Sequence, residues 1–171
     1  MAKVVRKDKL QAGYDGNLES VRIYNNAGTT QVQSSNGVFV VLEGLEAGER
    51  EVRKARLANE VDATKDVLFI HNAEVMYDER LYLLEDFVID AGKVARAYRL
   101  FDGDIITLTT DLFVGTVAVG DNLIVNANGL IGKPATAGDV NTAKVVFEVI
   151  EDCGYELHTT TGAFAVQVKR N

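Results

Sequence analysis

Length, composition and charge exclude several classes of protein. The chain has 171 residues, of which 47% are hydrophobic and 25% charged, the proportions of an ordinary one-domain globular protein. Its 25 acidic residues outnumber its 18 basic ones, and the net charge of −7 repels phosphate backbones, so we expect no nucleic-acid partner. The single cysteine, Cys153, cannot form an intramolecular disulfide. We find neither a secretory signal nor a run of about 18 apolar residues, so we expect no membrane partner.

The first feature in chain order is a short basic arm, residues 1–14. A charged terminus is commonly a solvated tail, and the alternative is an arm that docks on an acidic neighbour. Only Asp8 offsets the basic residues of this segment, which are Lys3, Arg6, Lys7 and Lys9. We treat residues 15–171 as a single β-rich domain and leave open a secondary boundary near residues 48–60.

Beyond the arm, eight runs rich in β-branched and aromatic residues are separated by turn-forming glycines, asparagines and aspartates. Such runs are typical of strands. They cover residues 21–24, 38–42, 67–71, 95–101, 105–109, 123–126, 144–150 and 163–169. Their spacing predicts a mainly β protein, an antiparallel β-barrel or sandwich with one short helix and an extended N-terminal arm.

Four segments add detail to this prediction. Residues 52–57 contain good helix formers, but their alternation favours an edge strand. The run 144–150 is apolar on both sides, which predicts a strand near the centre of a sheet. Asn128-Gly129 tolerates positive φ at both positions and predicts a tight hairpin between apolar runs. Residues 78–88 have apolar side chains at helical spacing and are the best helix candidate, ending before Gly92.

Side chains with catalytic chemistry are few. The two histidines lie in unrelated local contexts: His71 follows an apolar run, as a structural residue at the end of a strand would, and His158 lies in a polar turn. Cys153 is flanked by carboxylates, which disfavour a thiolate nucleophile. The chain contains no phosphate-binding glycine loop and no serine nucleophile elbow. We therefore expect no cofactor and no enzymatic activity.

The acidic pair Asp102 and Asp104 is the remaining candidate for chemistry. Two carboxylates around Gly103 could bind a cation or form the acid pair of a hydrolase. The spacing lacks a third ligand and a calcium-loop pattern, so a turn with a solvated acidic rim is the favoured interpretation. An acid-pair hydrolase is the last-ranked hypothesis.

From about residue 48 the chain contains short blocks such as Glu74–Arg80 and Gly103–Ile105. In these blocks it resembles a family of small tailed-phage structural proteins, the capsid decoration or auxiliary head proteins of phages that infect Gram-positive bacteria. The resemblance rests on several short blocks and on a β-rich C-terminal part with Gly-Asp and Asn-Gly turns, residues 117–154. The blocks are residues 74–80, 86–87, 91–93, the Arg96/Tyr98/Leu100 strand and residues 103–105.

The resemblance implies a non-enzymatic virion protein that binds the outside of the phage capsid and stabilises the head. Its expected partner is the major capsid protein, and a trimer of the chain itself is the arrangement suggested by analogy. The protein would be made in the host cytoplasm and end on the capsid surface, with Lys3, Arg6, Lys7 and Lys9 as a capsid-binding arm. The alternatives are another phage head or tail structural protein, or a β-barrel module that binds a small ligand or glycan in an aromatic-lined groove.

Overall fold

A computed structural model describes residues 17–74, 86–136 and 138–171. The chain is mainly β, with 43% of residues in strands and 10% helical, which confirms the predicted fold class. The strands are β1 (Leu18–Tyr24), β2 (Phe39–Leu45), β3 (Val52–Leu57), β4 (Val67–Ile70), β5 (Ala95–Tyr98), β6 (Ile105–Thr109), β7 (Phe113–Val114), β8 (Asn122–Val125), β9 (Ile131–Gly132), β10 (Val146–Gly154) and β11 (Ala163–Arg170). One α-helix, α1 (Asp139–Thr142), and short 3-10 turns at Glu60–Asp62, Thr110–Leu112 and Ala127–Gly129 complete the described elements.

The first five strands form a closed barrel in the order β1-β3-β2-β4-β5. The β1–β3 pair is parallel, with Ser20 opposite Val52, and the other four pairs are antiparallel. Alternate residues of each strand point inward because successive side chains of a strand face opposite sides. The interior is filled by a buried apolar cluster: Val21, Ile23, Val38, Val40, Ala55, Leu68, Ile70, Ile89, Ala95 and Ala97.

The remaining strands form an open sheet in the order β6-β11-β10-β8-β9-β7, which packs against the outside of β2 and β4. Phe39 is at the centre of this contact, with its ring 5.4 Å from that of Phe69 and 5.1 Å from that of Phe147. Strands β2 and β4 are therefore covered by the barrel interior on one face and by the sheet on the other. This explains why both are almost continuously apolar instead of alternating.

The predicted strands agree closely with the observed ones, since each of the eight runs overlaps a strand of the fold. Residues 52–57 form a strand, but the prediction of an edge strand was wrong, because β3 lies between β1 and β2 in the barrel. The run 144–150 contributes to β10, which lies between β11 and β8 as predicted for a central strand. The arm and most of the helix candidate, residues 78–85, lie outside the described residues.

The predicted hairpin at Asn128-Gly129 is confirmed. Asn128 and Gly129 have φ values of 59° and 73°, and they connect β8 to its antiparallel neighbour β9. The hairpin is bound to the barrel through the Gly129 N–H, which donates to the Ala58 carbonyl at 2.7 Å. No helix among the described residues is long and apolar enough to cross a bilayer.

Candidate functional site

A cavity in the described structure lies between strand β6 and the end of the barrel, and we call it the edge groove. It has a volume of about 430 Å³, within the range of about 300–1,000 Å³ common for binding sites. Its lining combines an apolar floor with hydroxyl, imidazole and carboxylate groups. The lining residues that matter most are Phe69, His71, Glu74, Leu108, Asp111 and His158.

One wall of the edge groove includes Asn36, which is hydrogen-bonded to Asn72 of a separate loop. The Asn72 backbone N–H donates to the Asn36 side-chain oxygen at 2.8 Å, and the Asn36 amide donates back to the Asn72 carbonyl at 3.0 Å. The same Asn36 amide donates to Glu74 Oε1 at 3.0 Å, and so holds this carboxylate at the groove. His71 directly precedes Asn72 in the chain, and its ring is stacked on Phe69 at a centroid distance of 6.4 Å.

The opposite wall comes from the loop between β10 and β11. His158 Nδ1 accepts the backbone N–H groups of Thr160 and Thr161 at 3.3 and 3.2 Å. These bonds assign the proton of the neutral imidazole to Nε2, because Nδ1 serves as an acceptor. Next to this loop, the Thr109 hydroxyl donates to the Asp111 carboxylate, which orients both groups at the rim.

The edge groove brings together both histidines of the chain, which the sequence placed in unrelated contexts. His71 follows β4, and His158 precedes β11, 87 positions later in the chain. Both line the same cavity because the outer face of β4 packs on the sheet that contains β11. No local pattern around either histidine indicates that the two line one cavity, because this arrangement arises from long-range packing.

Strand β6 forms one margin of the groove and also one edge of the sheet. Val168 donates its N–H to the Asp104 carbonyl, and Thr110 donates to the Gly162 carbonyl, each at 2.8 Å. Strand β6 pairs with β11 without a register shift, so the direction of the backbone groups alternates along β6. The even-numbered residues of β6 therefore direct their N–H and C=O groups toward β11. The N–H and C=O groups of Ile105, Thr107 and Thr109 point the other way, where no described strand pairs with them.

The acidic pair suggested by the sequence has structural contacts. The Asp104 carboxylate accepts the Phe101 N–H at 2.7 Å and closes the turn before β6. The Asp102 carboxylate accepts the Asn171 N–H at 2.7 Å and holds the C-terminal residue. Neither contact is the geometry of a paired acid and base acting on one substrate atom. Within residues 17–74, 86–136 and 138–171, no three metal-ligating side chains are grouped as a metal site requires.

The other residues singled out by the sequence lie away from the edge groove or beyond the described structure. Cys153 is half-buried near the end of β10 and is a free thiol. The predicted capsid-binding residues Lys3, Arg6, Lys7 and Lys9 lie outside the described residues. Within the described residues, the candidate surface is the edge groove with β6 at its margin. The sequence identified residues 105–109 as a strand but not as part of a site.

Protein-family models, curated proteins and solved structures were compared with the chain, and none of them matches it. Its function must be inferred from its residues and their geometry.

Proposed function

We propose that this protein is a virion structural protein that binds the outside of a tailed-phage capsid and stabilises the head. The observation that carries the proposal is the resemblance of the chain from about residue 48, in the blocks between residues 74 and 105 and in the C-terminal part 117–154, to capsid decoration and auxiliary head proteins. The expected partners are the major capsid protein and further copies of the chain.

The placement of the resembling blocks supports this proposal. Glu74 and Phe87 line the edge groove, and the backbone of Arg96 donates to the Asn72 side chain in its wall at 2.7 Å. Residues 103–105 lead into β6, whose later residues Thr107–Thr109 line the same groove. Blocks that are separate in sequence thus lie around one surface, as expected for a shared contact with a partner.

A role in assembly is also compatible with the physics of repeated binding. A capsid offers many equivalent sites, so each copy can bind through a modest interface while the arrangement as a whole resists release. The basic arm would add contact area, at the cost of ordering its residues on the shell.

The proposal is tested by co-sedimentation of the purified protein with purified shells of the same phage. We expect saturable binding with a fixed number of copies per shell, and no further binding to shells that already carry the protein. Absence of binding to bare shells contradicts the proposal. Cryo-electron microscopy of the saturated shells then separates a decoration protein on the outer surface from another head or tail component.

A second candidate function, a module that binds a small molecule or glycan, is favoured by one observation. The edge groove contains the rings of Phe69, Phe87, His71 and His158, which is the aromatic lining that such a module requires. Titration with neutral mono- and oligosaccharides, followed by NMR of the two histidine rings, tests it. Unchanged histidine signals at millimolar sugar reject this function.

A further inference from the structure

We propose that strand β6 binds an extended segment of the capsid shell protein by strand addition, so that the partner becomes the next strand of the sheet. This inference rests on the proposed function and names the surface that performs it. Strand addition uses backbone hydrogen bonds for affinity and flanking side chains for specificity.

The first argument is that β6 is a sheet edge with which no described strand pairs. Natural sheets protect exposed edges with charges, prolines, bulges or very short strands. Residues 105–109 read IITLT, with no charge and no proline, and their pairing with β11 has no register shift. The other edge strand of the sheet, β7, has only two residues. The barrel is closed and has no edge. Among the described strands, β6 is thus the edge that is best suited to pair with a strand of another protein.

The second argument is the direction of the backbone groups. Ile105, Thr107 and Thr109 point their N–H and C=O groups away from β11, at the spacing that an added strand requires. The side chains of Ile106 and Leu108 pack into the core and hold the strand in place. Ile105 is 55% exposed, so its side chain is accessible to a strand that pairs with β6.

Charge then defines the chemistry of the partner. Asp102 and Asp104 lie at one end of β6 and Asp111 lies at the other, while Glu74 lines the groove along which β6 runs. None of the ion pairs found among the described residues involves these four carboxylates. The segment that fits is therefore extended, uncharged in its middle and basic at both ends.

The same charges disfavour a second copy of β6 as the partner. Antiparallel pairing of two β6 strands about Thr107 would place Asp111 of one copy opposite Gly103 of the other, between Asp102 and Asp104. Acidic ends would then meet acidic ends, and like charges placed opposite each other destabilise a strand pair. A shell segment with basic ends has no such repulsion.

The central test is Thr107→Pro. The Thr107 N–H points away from β11, so proline removes an edge donor and leaves the β6–β11 bonds in place. We expect binding to purified shells at least about tenfold weaker than that of the wild type, because the added strand loses a hydrogen bond and meets the proline ring. Thr107→Val keeps the N–H but removes the hydroxyl, so it is the matched control, and the loss of affinity in Thr107→Pro should exceed that in Thr107→Val by at least about threefold. Circular dichroism and the urea midpoint establish that each variant is folded.

Asp111→Lys is a second variant that acts on charge and leaves the backbone unchanged. It places a cation at the end of β6 where the partner is inferred to be basic. We expect weaker shell binding, with a defect that shrinks as salt screens the charges. This variant keeps the proposal testable if Thr107→Pro does not fold.

Hydrogen exchange of the full-length protein locates the contact. We expect the peptide covering residues 104–110 to exchange more slowly when the protein is bound to shells, since three edge amides gain partners. Wild-type binding that Thr107→Pro leaves unchanged, or exchange that shells leave unchanged, overturns this inference while the proposed function stands. Failure of the wild type to bind shells overturns both.

Two other occupants of β6 have distinct signatures. If the 104–110 amides are protected in the free protein and deletion of residues 1–14 exposes them, the arm of this chain covers the edge. If their protection depends on protein concentration and Thr107→Pro lowers the mass in solution, a second copy covers it. Either result overturns the assignment of β6 to the shell.

Discussion

Arg56 and Asp62 form a bidentate ion pair, with each terminal guanidinium nitrogen 2.7 Å from one carboxylate oxygen. Asp62 is completely buried and also accepts bonds from Lys65 Nζ at 2.8 Å and from the Asn59 N–H at 3.1 Å. The pair fastens the 3-10 turn after β3 to the strand itself. Removing the carboxylate takes away the acceptor of the Asn59 N–H and the bidentate acceptor of the Arg56 guanidinium, which keeps its contacts with Glu43 and the Leu57 carbonyl.

Replacing this carboxylate is therefore expected to destabilise the fold. Asp62→Ala should lower the free energy of unfolding by about 3–5 kcal/mol, the cost typical of breaking a buried ion pair. Asp90→Ala, at an exposed loop position, is the control and should change it by less than about 0.5 kcal/mol. Urea denaturation followed by circular dichroism measures both. Equal stability of the two variants contradicts the structural role of Asp62.

The ion pair also predicts how stability depends on pH. The hydrogen bond from Arg56, with those from Lys65 and the Asn59 N–H, holds the pKa of Asp62 well below its usual range. The folded state therefore binds fewer protons than the unfolded chain, in which the pKa of Asp is about 3.9. The contribution of Asp62 is present in full above that value and is lost as pH falls toward the folded pKa. We expect the stability difference between wild type and Asp62→Asn to shrink from pH 5 to pH 2. A constant difference argues against this linkage.

Gly129 is expected to tolerate no side chain. Its φ is 73°, and an added Cβ would lie 2.5 Å from the Phe39 carbonyl oxygen. Gly129→Ala should cost about 2–4 kcal/mol, from left-handed backbone strain together with displacement of the hairpin from the barrel. Gly120→Ala separates the two effects, since Gly120 has a φ of 90° but open space around its Cβ position. A thermal melt in which both variants lose the same stability excludes the contact with Phe39 as a cause.

Phe39→Ala tests whether the barrel and the sheet unfold together. Phe39 is 1% exposed and packs on rings from both halves. The substitution should cost about 3–5 kcal/mol by leaving a cavity, and the barrel and the sheet should keep unfolding in one transition. Tyrosine fluorescence and far-ultraviolet circular dichroism should give the same midpoint. Two separated transitions in the wild type show that the halves fold independently.

The basic arm is expected to strengthen binding to shells without affecting the fold. Replacing Lys3, Arg6, Lys7 and Lys9 by Gln should weaken shell binding by about tenfold at low salt and by less at high salt, because screening already reduces these contacts. The urea midpoint should stay unchanged. An affinity equal to that of the wild type at low salt rejects a capsid-binding arm.

Local chemistry explains why most strands and one hairpin could be predicted. Asn128 and Gly129 adopt positive φ because these two residue types tolerate it, whatever surrounds them. The run 163–169 alternates along one strand, and the run 144–150 is apolar on both sides, as a central strand must be. The edge assignment of residues 52–57 failed because alternation along a strand does not determine how many strands pair with it, and β3 has two neighbours in the barrel.

By itself the sequence determined the β class, the position of the strands and the acidic charge of the body, since all three follow from residue type and from spacing along the chain. Only the tertiary structure decided that β1 and β3 pair in parallel to close a barrel. It also decided that His71 and His158 share one groove and that β6 is left at an edge. These features depend on which distant strands become neighbours, a choice made by the burial of both faces of β2 and β4 and by no local pattern.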